Sequence, residues 1–352
     1  MKNRLFLLLM IGLLALAALP AAAQDHEALA AFDCLGLSDA DCALLQQSAE
    51  NAIDIQSFTQ SFNFSASISN ASNLVQGIDS SVSASGTGAF VIDEAAMTED
   101  APYNGLNMAM DISGSATTAD GEQSGTVSFV IAEGNLYIQD ADSGAWRGTP
   151  LAELSENDMV VFGMPLDQMT HMGMGSMSMD SDMLPDSFDL MGLLQTPGFL
   201  NQERLADETV GDQNMAVFAY TADLGVLLAN EDFKAAISEM SAMAGDTEDP
   251  MAQQMAMMLP ILLENASGTV TLTRWIGVDD ELPHRVSLVV DTAIDLGIKS
   301  GNGTAVPPIE VKLDFAVDLN DINSTTAPTA PADATIVPAD ELLPNPEAVP
   351  AS

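Results

Sequence analysis

Basic residues are scarce in this sequence. Lysine and arginine together number 9, against 51 aspartates and glutamates, and the formal net charge is −42 at pH 7. Proteins bind nucleic acids and anionic membrane surfaces largely by neutralising phosphate groups with lysine and arginine. Because a chain of this charge repels both, nucleic-acid binding is excluded as a function.

Residues and motifs that usually carry catalysis are also few. The three histidines are His26, His171 and His284, and none has an evident serine or cysteine nucleophile as a partner. The G-x-S-x-G, H-E-x-x-H, P-loop and dinucleotide-binding motifs are all missing. We therefore predict that the protein is not an enzyme and that it carries no cofactor.

Long apolar runs are absent except at the N-terminus. Lys2 and Arg4 precede an apolar stretch at residues 5–19, and Pro-Ala-Ala-Ala follows at 20–23. This order is typical of a cleaved secretory signal peptide, and the run is short for a membrane span of about 20 residues. The sequence predicts a signal peptide at residues 1–23, no transmembrane segment after its cleavage, and a secreted or extracytoplasmic protein.

Cysteine is nearly absent as well, since Cys34 and Cys42 are the only two. In an exported protein an even number of cysteines usually indicates a disulfide, so we predict a Cys34–Cys42 bridge. Ser38, with Asp41 three residues later, resembles a capping box at a helix N-terminus. We expect the helix to run from Cys42 to Ile55.

Alternation of apolar and polar residues, by contrast, is abundant. Residues 268–276 and 286–296 alternate on either side of a turn at 277–283, which predicts an antiparallel hairpin. The clearest strand runs from Ile309 to Leu319, and we expect it to pair with the second strand of that hairpin. Further alternating runs between residues 62 and 138 predict an antiparallel meander with one wet face.

Three stretches resemble the LolA/LppX-like group of extracytoplasmic lipid-binding proteins. They are WIGVDDELPHRV (275–286), GNLYIQDADSGAWRGTPLAEL (134–154) and the Pro-Ala segment APADATIVPADELLP (330–344). The resemblance implies an α+β fold, in which a strongly curved antiparallel β-sheet (an unclosed barrel) has helices packed on its concave face. It also implies acyl chains bound between sheet and helices, and a transient partner protein in the cell envelope.

The chain accordingly divides into four parts. A signal peptide occupies residues 1–23, and an N-terminal helical segment with the disulfide occupies 24–57. A LolA/LppX-like half-barrel domain spans 58–319 and contains a Met-rich insertion at about 164–197. A Pro/Ala-rich tail at 320–352 is expected to be mostly disordered. No cysteine stands directly after the cleavage site, so the lipid attachment common in the group is not available and we expect the protein not to be lipid-anchored.

The leading hypothesis is a cavity that holds a lipid or another hydrophobic small molecule. Its floor is predicted from the inward positions of the last two long strands, which are Val286, Leu288, Val290, Val311, Leu313 and Phe315. Its roof is predicted from the apolar stripe of a helix at residues 251–265, which is Met255, Met258, Leu259 and Leu262. Methionine repacks readily around variable apolar shapes, which favours a gap that an acyl chain can fill.

Three alternatives stay open. Roof and floor can meet without a gap and form an ordinary core. Imidazole and thioethers are soft ligands that suit Cu(I), so the Met-rich insertion can instead make this an extracytoplasmic copper-binding protein. The residues for such a copper site are His171, Met172, Met174, Met177 and Met179. The third alternative is a structural or adhesive surface β-protein without a ligand.

Overall fold

A computed structural model gives the fold of the protein. It describes residue 34 and residues 36–70, 79–98, 104–119, 121–156, 160–161, 164–165, 198–230, 234, 265–297 and 305–342. The predicted signal peptide and most of the Met-rich insertion lie outside these residues. Among the helices that are described, none has the length and apolar character needed to cross a membrane.

The described elements are mostly long strands with a few short helices. The α-helices are α1 (Asp39–Ile53), α2 (Leu151–Glu156), α3 (Leu224–Ala229) and α4 (Ala339–Leu342), and Glu94–Ala96 forms one turn of 3-10 helix. The first eight strands are β1 (Ser57–Ser69), β2 (Ser80–Ile92), β3 (Leu106–Thr118), β4 (Gly121–Ala132), β5 (Asn135–Gln139), β6 (Trp146–Pro150), β7 (Val160–Val161) and β8 (Met164–Pro165). The others are β9 (Leu200–Arg204), β10 (Glu208–Val210), β11 (Gln213–Asp223), β12 (Ala266–Gly277), β13 (Pro283–Ile294), β14 (Ile309–Asn320) and β15 (Thr335–Ile336).

One large sheet contains all of these strands except β7 and β8, which form a separate pair. The strand order is β10-β11-β12-β13-β14-β1-β2-β3-β4-β5-β6-β15, and β9 also pairs with β11. Every pairing is antiparallel apart from the parallel contact between β15 and β6. Strands β10 and β15 stand at opposite ends of this order, so the sheet is unclosed. The predicted α+β class, the β12–β13 hairpin and the pairing of β14 with β13 are confirmed.

The register separates the side chains into two chemically different faces. Directly paired residues point to the same side of a sheet, and successive residues point to opposite sides. The apolar face is the side that carries Phe62, Phe64, Ile112, Phe315 and Val317. The polar face is the side that carries Asn63, Ser65, Ser83, Ser115 and Asp314. The apolar face must therefore be covered, whereas the polar face can remain in water.

Two short helices cover one end of the apolar face. Leu151 and Leu154 of α2, together with Ala339 of α4, belong to the main core cluster with residues of β3, β4 and β5. Phe129, Ile131 and Leu136 are 0% exposed there. Fully burying a side chain of this size stabilises the fold by about 1.5–3 kcal/mol. The packing at this end of the sheet therefore contributes strongly to the stability of the fold.

Helix α1 contacts the same face at the other end of the sheet. Leu45 is fully buried in a second cluster with Ala216, Phe218 and Ile276 of β11 and β12. The Ser38 hydroxyl accepts a hydrogen bond from the backbone N–H of Asp41 and donates one to its carboxylate, so the predicted cap is confirmed. The helix spans Asp39–Ile53, starting and ending slightly earlier than predicted.

The predicted disulfide between Cys34 and Cys42 is present, with the two Cα atoms 5.0 Å apart. It links the first turn of α1 to the segment in front of the helix. Asp41 lies beside this bridge and accepts a hydrogen bond from Nε of Arg204 at 3.2 Å. The disulfide and the ion pair therefore both act at the N-terminal end of α1, where the helix meets β9.

The tail differs from the expectation that residues 320–352 are mostly disordered. In residues 320–342, Thr335 and Ile336 pair with β6, the Val337 N–H donates to the Gly148 carbonyl, and Ala339 of α4 is 4% exposed. Composition was a misleading guide, because a few anchored residues are enough to hold a Pro- and Ala-rich segment against the edge of a sheet. Residues 343–352 lie outside the described part of the chain.

Candidate functional site

The predicted floor residues lie together on the apolar face of β13 and β14. The register pairs Val286 with Val317, Leu288 with Phe315 and Val290 with Leu313, and it pairs Val311 with Thr292. All six floor positions therefore share one face across two neighbouring strands, as the alternation predicts.

Burial changes steeply along this floor. Phe315 is 0% exposed and Val286 is 6% exposed, and both belong to the main core cluster. Leu288, Val290, Val311 and Leu313 are only half-buried. The predicted floor thus contains two core residues and four residues with accessible apolar surface.

A continuous row of half-buried apolar residues crosses five strands at this level. We call it the half-buried row, and its members are Val270, Val290, Leu313, Ala66 and Val82, each paired with the next. All five are of intermediate exposure, although each lies on the apolar face. A strip of this kind at the margin of a core is a surface on which an elongated apolar ligand could lie.

The next rows toward the core end are more deeply buried and include a charged residue. One of these rows crosses β12 at Arg274, four residues after Val270. Its members are Phe62, Val317, Val286, Arg274 and Phe218, each paired with the next. We call it the arginine row. Its four apolar members are between 0% and 6% exposed, whereas Arg274 is half-buried. The sequence offered a signal for this residue, which is an arginine at an apolar position of an alternating run.

The polar face carries two shallow grooves close to the same strands. One of about 420 Å³ is lined by Asn63, Ser65, Ser83, Ser85, Ser113, Ser115 and Asp314, with the backbone between them. The other, of about 400 Å³, lies beside it over β13, β14, β1 and β2. Small hydroxylic side chains predominate in the first groove, where Ser83 and Ser115 bond each other at 3.0 Å. The lining of the second groove also includes Val289 and Lys312, and four members of the half-buried row, which are Ala66, Val82, Val290 and Leu313. Both linings therefore combine polar and apolar residues.

Residues 140–144 form the hairpin turn between β5 and β6, closed by a hydrogen bond from the Gly144 N–H to the Asp140 carbonyl. The Asp140 carboxylate accepts hydrogen bonds from the Ser143 hydroxyl and the Ser143 backbone N–H, both at 2.7 Å. These bonds lower the pKa of Asp140 below its usual value. Across the described residues, no group of three or more histidine, cysteine, aspartate or glutamate side chains is arranged to hold a metal ion.

Two sets of predicted residues lie outside the described part of the chain. The roof positions Met255, Met258, Leu259 and Leu262 are one set, and the copper candidates His171, Met172, Met174, Met177 and Met179 are the other. Both therefore remain predictions from the sequence.

Comparisons with known proteins find likenesses among solved structures alone. No family model matches the chain, and no curated protein does. Among solved structures, the chain is similar to LprF from Mycobacterium bovis, with 12% identity and a TM-score of 0.30, over 82% of this chain and 95% of that one. It is also similar to the lipoprotein LppX from Mycobacterium tuberculosis, with 13% identity and a TM-score of 0.27, over 82% and 98%.

A more distant likeness is to a putative outer membrane lipoprotein-sorting protein domain from Vibrio parahaemolyticus. There the identity is 9% and the TM-score 0.15, over 75% of this chain and 83% of that domain. At such identities and TM-scores, the function has to be argued from the residues of this chain.

Proposed function

We propose that this protein is an exported, non-enzymatic binding protein that holds lipid acyl chains, or another hydrophobic ligand, against the half-buried row. The observation that carries the proposal is the graded burial of one alternating pattern, from fully buried Phe315 to half-buried Leu313 on the same face of β14. Accessible apolar surface is unfavourable in water by about 25 cal/mol per Å², and a bound acyl chain removes this cost.

The shape of the row supports an elongated ligand. Neighbouring strands are about 4.8 Å apart, so the row of five residues spans roughly 19 Å across the sheet. Its members are small or medium aliphatic side chains without polar atoms, which suits a flexible hydrocarbon chain. We further propose that Met255, Met258, Leu259 and Leu262 cover the ligand from the other side, because methionine adapts to variable apolar shapes.

The experiment fills the row with a large side chain. Leu313→Trp should abolish binding of a fluorescent fatty-acyl probe, because the indole takes the space that we assign to the ligand. The matched control is Val289→Trp, because Val289 lies on the adjacent strand β13 but on the polar face, where it is 38% exposed. This control should bind the probe as the parent does.

Thermal unfolding of the same three proteins separates a binding surface from a filled core. We expect Leu313→Trp to keep the parent's melting temperature within a few degrees while binding is lost. If the parent binds no probe and Leu313→Trp unfolds at a much lower temperature, the row is an ordinary core and the carrier proposal is wrong. That outcome would favour a structural or adhesive protein without a ligand.

Export is the second part of the proposal, and it depends on residues 1–23. The basic start, the apolar centre and the Ala-rich end of this segment support cleavage and release outside the cytoplasm. The intact mass of natively exported protein should match a chain that lacks these residues. In that setting a transient partner of the cell envelope would deliver or receive the ligand.

A further inference from the structure

A short repeat of threonine, alanine and proline follows the last long strand of the sheet. Residues 326–331 read Thr-Ala-Pro-Thr-Ala-Pro, which is one tripeptide in two successive copies. Threonine combined with proline at this density is typical of segments of exported proteins that carry O-linked sugars. The function proposed above makes no use of this segment, which we call the Thr-Pro strap.

The strap is held by contacts with the sheet on both of its sides in the chain. Before it, the Asn323 backbone N–H donates to the Ser57 carbonyl of β1 at 2.7 Å. After it, Thr335 and Ile336 pair with β6. Residues 325–331 themselves belong to no helix or strand. The strap is therefore an anchored segment of irregular backbone, which an enzyme can bind without unpairing a strand.

Both threonines of the strap are exposed to solvent. Each proline fixes its own φ and favours extended backbone at the alanine before it, so the sequence favours a polyproline II-like chain with about three residues per turn. Because Thr326 and Thr329 are three residues apart, they lie on one side of such a chain. Both are exposed, whereas Pro328 and Pro331 are only partly exposed. The accessible side of the repeat thus presents hydroxyl groups, which favours their modification over docking of a proline-binding protein.

The hydroxyl groups of these two threonines are also available for reaction. Within the described part of the chain, neither Thr326 nor Thr329 forms a side-chain hydrogen bond. Thr325, directly before the strap, differs, because its hydroxyl donates to the Asp321 carbonyl at 2.9 Å. A sugar on Thr325 would break this hydrogen bond, whereas a sugar on either strap threonine would break none.

A second kind of glycan acceptor stands close to the strap. Asn323 begins an Asn-Ser-Thr sequence, which is an acceptor motif for N-linked glycans. Its side-chain nitrogen donates to the Asp54 carbonyl at 3.3 Å, and its side-chain oxygen accepts from the Gln56 backbone N–H at 2.8 Å. Since this amide is engaged through both of its polar atoms, the structure favours O-linked modification of the strap over N-linked modification of Asn323.

We propose that the Thr-Pro strap is an O-glycosylation site, at which a glycosyltransferase outside the cytoplasm attaches sugars to Thr326 and Thr329. The donor is an activated sugar whose anomeric carbon is esterified to phosphate. This carbon forms a bond to the threonine Oγ1 while its bond to the phosphate oxygen breaks. The phosphate leaves with the electron pair of that bond, and the hydroxyl proton passes to a base of the transferase. The inference rests on the export part of the function proposed above and is independent of ligand binding.

The test measures peptide masses of the protein that its own host exports. Lys312 is the last basic residue of the sequence, so trypsin releases residues 313–352 as one peptide. We expect this peptide to exceed the mass of its polypeptide by whole sugar units, and fragmentation should place them on Thr326 and Thr329. The double variant Thr326→Ala with Thr329→Ala should lose the added mass, and Thr326→Ser with Thr329→Ser should retain it. The matched control Thr325→Val removes a neighbouring hydroxyl that is already engaged, and it should leave the added mass unchanged.

The remaining outcomes separate failure of this inference from failure of the proposed export. If the protein lacks residues 1–23 but the tryptic peptide has the bare polypeptide mass, export stands and the glycosylation inference is wrong. If residues 1–23 are retained, the export proposal fails and the inference fails with it. Mild alkali releases sugars from threonine by β-elimination and leaves N-linked sugars in place. Added mass that survives this treatment would therefore assign the modification to Asn323 and overturn the inference.

Discussion

The buried and half-buried parts of the apolar face arise from the same sequence pattern but differ in solvent exposure. On β14, Phe315 and Val317 are 0% exposed, whereas Leu313, two residues earlier on the same face, is half-buried. On β13, Val286 belongs to the core, whereas Val290 does not. Alternation determines which face is apolar, and the elements that cover this face determine which part of it becomes core. The half-buried part is therefore where binding can evolve without loss of the fold.

The largest expected effect comes from truncating side chains on the two sides of this boundary. Phe315→Ala should lower the free energy of unfolding by about 3–5 kcal/mol, because it leaves a cavity in a close-packed region. Leu313→Ala should lower the free energy of unfolding by less than about 2 kcal/mol, because the Leu313 side chain is only half-buried in the folded protein and loses less contact when it is truncated. Urea unfolding monitored by circular dichroism measures both values. Similar losses for the two variants would mean that the half-buried row is part of the core.

A smaller effect is expected from the bridge that anchors α1 over β11 and β12. Replacing Cys34 and Cys42 together by serine should destabilise the protein by about 2–3 kcal/mol, since the closed loop is short in the chain-entropy model of disulfide stabilisation. Leu45 of α1 packs with Phe218 in the second core cluster. Loss of the disulfide should therefore also accelerate hydrogen exchange in β11 and β12. Exchange in β3 and β4 serves as the internal control and should change only with global stability. Equal acceleration throughout the sheet would show that α1 is not a local cover.

Much of the local structure could be predicted from the sequence because the signals are short-range. The β12–β13 hairpin, the strand at Ile309–Asn320, the cap at Ser38 and the disulfide each depend on residues that are close together in the chain. The six floor positions could be placed on one face for the same reason, since alternation within a strand fixes the direction of every side chain.

The remaining features depend on contacts between distant parts of the chain. The pairing of β1 with β14 joins residues about 250 positions apart. The parallel pairing of Thr335 with Arg147 places a Pro/Ala-rich segment beside β6, and no local pattern in either segment predicts this contact. Phe315 and Leu313 have equivalent positions in the sequence pattern, so their different burial could not be predicted. The placement of the half-buried Arg274 between core residues of β11 and β13 likewise depends on how the strands pair.

The smallest expected effect tests the boundary through the backbone. Gly86 on β2 lies opposite Phe62 at an apolar-face position, and a Cβ there would be 2.6 Å from the Phe62 ring and 2.6 Å from the Asp111 carbonyl oxygen. Gly86→Ala should therefore destabilise the protein by about 1–3 kcal/mol, because the ring cannot move in a packed core without cost. Gly125 on β4 also lies at an apolar-face position, opposite Gly114, but a Cβ there would have no atom within 4 Å.

Gly125→Ala is thus the matched control, and it should be neutral or stabilise by up to about 1 kcal/mol, because alanine restricts the unfolded chain more than glycine does. Thermal unfolding of both variants, with urea unfolding for the free energies, measures the difference. If Gly86→Ala is as well tolerated as Gly125→Ala, the Phe62 ring has room to move. The packing around Phe62 would then be looser than that of a close-packed core. The half-buried row would then widen toward Phe62, and a ligand chain could extend into what we describe as core.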